Sequence, residues 1–220
     1  MIPLDADNLL PPQSLALLTG ALDTDRSLDV AYGNVLFVTE DGRPDSGVGP
    51  GGHSGWPMLF RADWQLQERN LLPSTSMFRR RVWELTGGYR RRWRTAEDAD
   101  FWTRAVSYGF RPQMVTEADT LVYRNRAESM SRVEEKPNWT SWYPWAHDGV
   151  APAAVLLEPQ VPVPSFEPVL ISVVIPVGPG HEELVVDAVD SVDSQMFRLW
   201  ECIVVNDSCG ELPRLPSWCL

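Results

Sequence analysis

The chain reads as an α/β protein on three observations. Helix and strand signals alternate from residue 1 to 131. A continuous apolar run, Leu170-Ile171-Ser172-Val173-Val174-Ile175-Pro176, has the look of a buried parallel strand, and a second such run, Glu201 to Asp207, follows a helical stretch. Together they predict a mixed sheet with flanking helices and a short β-α-β unit at the C-terminal end.

Pro11 and Pro12 can open a helix through Ser14-Leu15-Ala16-Leu17-Leu18, because proline's fixed φ suits the first turn, where no amide donor is needed. Val30 to Val38 is rich in β-formers and reads as a strand. Glu40 to Trp56 is dense in Gly, Asp and Pro and lacks the Gly-Lys-Ser/Thr ending of a P-loop, so a solvated hairpin or insertion is expected. Ser74 to Phe78 suggests a short strand. Arg80 to Thr86 suggests a helix stopped at Gly87-Gly88, since glycine adopts the left-handed conformation of a helix end.

Thr95 can cap a further helix that runs to about Tyr108 and stops at Gly109. It places Glu97 and Asp98 in its positive first turn and Phe101, Ala105 and Tyr108 along one face. A strand over Gln113 to Tyr123 closes this first segment, residues 1–131. Residues 132–168 carry seven prolines with Trp139, Trp142 and Trp145 and read as a linker with aromatic anchoring points. Residues 169–220 hold the β-α-β unit, its helix over Glu182 to Ser194.

The length suits one domain of ordinary size or pieces of two. With 30 acidic against 19 basic residues, the formal net charge of −11 argues against nucleic acid or an anionic membrane as the main partner. Cys202, Cys209 and Cys219 are odd in number and form no C-x-x-C, which disfavours a disulfide framework or a zinc site and fits a reducing compartment. The longest apolar stretch is too short to span a bilayer and no secretory leader is evident, so a cytoplasmic chain is expected, extending at most to the inner face of the membrane. Asn138-Trp139-Thr140 is then a chance sequon.

Asp5 and Asp7 in Leu4-Asp5-Ala6-Asp7-Asn8 form a D-x-D pair, which at a strand end can hold a hard divalent cation against a diphosphate. A lone D-x-D is a weak signal, because acidic turns are common. Glu97-Asp98 follows some 90 residues later, and carboxylates in a first helical turn also stabilise the helix without doing chemistry. The order D-x-D, Gly-Gly, then Glu-Asp opening a helix favours the functional reading. Arg79-Arg80-Arg81 and Arg90-Arg91-Arg92 with Arg94 read as basic surface, and His53, His147 and His181 as isolated surface residues.

The tail segments Ile171 to Pro176, Ser191-Val192-Asp193-Ser194-Gln195 and Trp200 to Ser208 resemble the opening, nucleotide-binding half of family 2 glycosyltransferases. Leu4-Asp5-Ala6-Asp7, Tyr32-Gly33, Met77-Phe78-Arg79-Arg80, Gly87-Gly88-Tyr89, Glu97 to Trp102 and Tyr108-Gly109 resemble the closing, acceptor-binding half, so the halves stand in reversed order. The simplest expectation is a piece of a longer tandem protein, with a metal- and acceptor-binding half at 1–131 and the start of a second domain at 169–220; a circular permutant is the competing idea.

The resemblance implies an incomplete GT-A (Rossmann-like) fold and an inverting transferase using a nucleotide-diphosphate sugar, with a UDP-, GDP- or dTDP-sugar as donor and Mn²⁺ or Mg²⁺ as cofactor. It implies Asp7 as metal ligand, with Asp5 near the ribose or the metal's water shell, Asp98 as general base with Glu97 orienting it, and Pro176, Val177 and Asp207 at the donor nucleotide. Gly87, Gly88 and Trp102 would meet the acceptor, a glycan, lipid-linked or protein hydroxyl of the kind used in cell-envelope polysaccharide synthesis. The absence of Q-x-x-R-W after the base implies non-processive transfer. Two other readings remain: a non-catalytic acceptor-binding or assembly module, and a nucleotidyltransferase, which the lack of a lysine or arginine near Val177-Gly178-Pro179-Gly180 disfavours.

Overall fold

The computed structural model describes residues 1–54, 60, 62, 70–90, 97–126 and 171–220. The expected linker at 132–168, with its tryptophans, and the cap residue Thr95 lie outside these. The described residues form a mixed α/β structure with two three-stranded sheets and four α-helices.

The first sheet is wholly parallel and joins the two ends of the chain. β1 (Ile2–Pro3) pairs with β5 (Ile171–Val177), which pairs with β6 (Trp200–Asn206). Ile171, Val173, Ile175 and Val177 alternate inward, and α4 (Val185–Asp193) covers them with Val185, Ala188, Val189 and Val192 at helical spacing. The turn His181–Leu184 precedes α4, so the helix begins later than the expected Glu182.

In the second sheet β2 (Val30–Val38) lies between β3 (Met77–Phe78) and β4 (Pro112–Arg124), antiparallel to the first and parallel to the second. The register of β2 on β4 slips around Gly33, whose amide donates to Thr120 Oγ1 at 3.1 Å. A Cβ there would stand 2.5 Å from Thr120 Cγ2, so only glycine admits this approach. α1 (Ser14–Thr24) extends past the expected Leu18 and buries Leu15, Leu18 and Leu22. The strand expected over Ser74 to Phe78 is confined to Met77–Phe78, because Ser76 Oγ turns back to Pro73 O at 2.7 Å. A tight turn at Thr39–Arg43 and a 3₁₀ turn at Pro50–Gly52 occupy the expected loop.

β1 ties the sheets together: Phe78 N donates to Met1 O at 2.9 Å, and Leu9 forms an antiparallel bridge with Val122. One core cluster spans β1, α1, β5 and α4. A second, aromatic one gathers Tyr32, Phe78, Phe101, Trp102 and Tyr108 beneath α2 (Arg80–Thr86) and α3 (Glu97–Ser107).

The C-terminal segment is docked by polar contacts as well as apolar ones. Buried Gln195 accepts from Leu15 N at 3.1 Å and donates to Leu10 O at 3.0 Å and Pro11 O at 2.9 Å; Ser191 Oγ accepts from Leu10 N, and Met196 N donates to Pro12 O. Truncating Gln195 strands these backbone groups in a dry interface. Gln195→Ala is expected to lower unfolding free energy by about 1–3 kcal/mol in urea titration.

Candidate functional site

Strand register decides which side chains meet. β1 and β5 run parallel with Pro3 opposite Val174, and Leu4 N donates to Val174 O at 2.9 Å. Asp5-Ala6-Asp7 and Pro176 to His181 therefore leave the sheet at one edge. β6 runs the same way, with Asn206 opposite Val177 and Asp207 N donating to Val177 O at 2.9 Å. Asp5, Asp7, Pro176, Val177 and Asp207 are thus gathered at the carboxyl ends of three neighbouring strands. Asp207 and Pro176 are exposed there, whereas the Val177 side chain is buried and offers only its backbone.

Asp5 turns inward. Its Oδ2 accepts from Asn8 Nδ2 at 3.1 Å and from Ser74 Oγ at 3.3 Å. Burial, then the charges of Asp7 and Glu97, push its pKa up to about 6 against the pull of those two donors. Asp98, in the first turn of α3, is pushed up to about 7 by burial, then by Glu97 and Asp5, while Asn70 Nδ2 donates to its Oδ2 at 3.3 Å. Burial also raises Glu97. D-x-D and Glu-Asp, far apart in sequence, are therefore electrostatically coupled through Asp5.

Tyr89 completes this group. Desolvation, then Asp98, Asp5 and Glu97, hold its phenol well above the usual range, so it stays a hydrogen-bond donor beside the carboxylates. Its ring meets Trp83 and Phe101 edge-on, with centroids 5.3 and 5.2 Å away. The Gly-Gly turn aims it. Gly87 caps α2 in the left-handed conformation, and Gly88, also at positive φ, lies so close that a Cβ would stand 2.5 Å from the Trp83 ring. Arg104 reaches from α3 to donate to Thr86 O at 2.5 Å and Gly88 O at 2.6 Å while paired with buried Asp100 at 2.8 Å.

Trp102 does not reach this surface. It is fully buried, packed edge-on against Phe78 at 5.6 Å and tilted against Phe101 at 4.7 Å, because its position on α3 faces the aromatic core. Gly87 and Gly88 form the turn after α2, with Gly87 exposed and the Gly88 carbonyl engaged by Arg104. Arg79 donates to Leu28 O, Arg81 pairs with Asp29 and Arg80 with Glu84, so these serve the fold and its surface. His53 pairs with Asp119 at 2.9 Å, away from the strand ends.

Among the described residues no group of three or more His, Cys, Asp or Glu side chains is arranged to hold a metal ion. Asp7 Oδ2 stands 3.6 Å from His181 Nε2, both side chains partly exposed. An oxygen and an imidazole nitrogen facing each other suit a divalent cation whose remaining positions are filled by water or a diphosphate. Asp5, engaged by Ser74 and Asn8, is the poorer donor.

Tyr89, Asn70, Ser74 and His181 escaped the reading of the chain as site residues. Tyr89 had a signal in its position after Gly-Gly; Asn70 and Ser74 had none, since each enters through loop packing. No helix among the described residues is long and apolar enough to cross a membrane.

Asp98's folded pKa near 7 lies above its unfolded value, so the native state holds this proton more tightly and loses stability as pH rises from about 4 through 7. Asp98→Asn removes that loss. It is expected to raise stability by about 1–3 kcal/mol at pH ~8 and to leave it unchanged at pH ~4, read by thermal unfolding at both values. Compared with known proteins, the chain matches no family model and no curated protein.

Proposed function

We propose that the chain is a glycosyltransferase of the GT-A type, transferring a sugar from a nucleotide-diphosphate donor to the hydroxyl of a glycan, lipid-linked or protein acceptor. The observation that carries this reading is the convergence of Asp5, Asp7 and Asp207 at the carboxyl ends of β1 and β6, on either side of β5, with Asp98 electrostatically coupled to Asp5. Ligands of open α/β sheets bind at that edge. A half-buried carboxylate with its pKa pushed up to about 7 has the basicity that proton abstraction from a hydroxyl needs.

In this reading Asp98 takes the acceptor proton as the hydroxyl oxygen attacks the anomeric carbon and the bond to the diphosphate breaks. Glu97 keeps the base from ionising too readily, and Tyr89 donates toward the carboxylates or the sugar. Asp207 accepts a hydrogen bond from the donor base. Asp7 would hold Mn²⁺ or Mg²⁺, which supplies charge compensation for the leaving diphosphate.

Titration with a uridine diphosphate sugar tests the donor site: binding is expected to require Mn²⁺ and to vanish in Asp7→Ala. With an accepted donor and acceptor, Asp98→Asn is expected to lower kcat by about 10²–10⁴-fold, and wild-type kcat/KM is expected to rise with pH up to about 7 as the base loses its proton. No nucleotide-sugar binding under any metal condition would overturn the assignment and favour an acceptor-binding module.

A further inference from the structure

We propose that His181 is a cation ligand opposite Asp7, so that a single divalent ion bridges the two ends of the chain and the site favours Mn²⁺ over Mg²⁺. The proposal deepens the transferase reading and rests on it for the nature of the ligand that shares the ion.

The pairing of β1 with β5 brings Asp7 and His181 together across 174 residues of chain. His181 is set by backbone contacts on both sides: its own N donates to Gly178 O at 3.1 Å, and its carbonyl accepts from Leu184 N at 3.1 Å as the chain enters α4. Nε2 then faces Asp7 Oδ2 at 3.6 Å. That is longer than a hydrogen bond. It is close to the separation of two ligands on one ion, about 3.0–3.5 Å for bonds of about 2.1 Å.

Both side chains are partly open to solvent, so an ion and a diphosphate can reach them. Asp5 is the poorer second donor, because its Oδ2 is already engaged by Ser74 and Asn8. Mg²⁺ prefers oxygen and keeps its water, whereas an imidazole nitrogen suits transition ions. An Asp–His pair therefore discriminates where an Asp–Asp pair would not.

The test uses the full chain and Mn²⁺ alone, followed by electron paramagnetic resonance. Wild type is expected to bind Mn²⁺ with spin-echo modulation from a directly bound ¹⁴N. His181→Ala and His181→Gln should lose that modulation and weaken Mn²⁺ binding at least about tenfold with Mg²⁺ affinity unchanged, so that Mg²⁺ displaces Mn²⁺ at about tenfold lower concentration. His53→Ala should behave as wild type. Wild type without ¹⁴N modulation, or His181 variants that bind Mn²⁺ as wild type does, would overturn the proposal and leave a simple charge pair.

The two readings fail separately. Sugar-nucleotide binding that depends on Asp7 and Mg²⁺ but not on His181 would sink only the ligand assignment. Nitrogen-coupled Mn²⁺ without sugar-nucleotide binding would sink only the transferase.

Discussion

The parallel pairing of β1 with β5 is the constraint on which the rest depends. β1 is two residues long and could not persist alone; it exists because β5 offers a ladder and because Met1 and Leu9 are held on the second sheet by Phe78 and Val122. That pairing puts the aspartates after β1 and the loop after β5 at one sheet edge, and it joins the two sheets. Gln195 and Ser191 reinforce it from the helix side by satisfying backbone groups between Leu10 and Leu15.

A second physical theme is the cost of holding several carboxylates in a poorly hydrated place. Asp5, Glu97 and Asp98 are each raised by burial, and mutual repulsion raises the two aspartates further. Elsewhere the chain sets opposite charges against a buried carboxylate, as where Asp100 Oδ2 meets Arg104 and Arg90. At the strand edge the donors are neutral: Asn8, Ser74 and Asn70. The contrast lies in the partners: full charges around Asp100, neutral amides and a hydroxyl around Asp5 and Asp98.

The two ends of the chain meet in one sheet. The C-terminal β-α-β unit packs onto the N-terminal segment through β5, so strand ends drawn from opposite ends of the chain share one edge. The aromatic core complements this arrangement from the other sheet. Phe101 and Trp102 anchor α3, and Trp83 with Gly88 sets the turn that presents Tyr89 to the carboxylates.

Local chemistry in the sequence was enough for the α/β class, for most element positions and for the location of acidic pairs, because helix periodicity, β-branched runs and glycine stops act over a few residues. Val30–Val38 and Arg80–Thr86 follow from such signals alone. Tertiary structure decided that Trp102 is core, that Asp5 faces inward while Asp7 faces His181, and that Tyr89, Asn70 and Ser74 adjoin the carboxylates. Each of those outcomes depends on strand register or on loops meeting across the fold, and such meetings leave no periodic trace in the residues that make them.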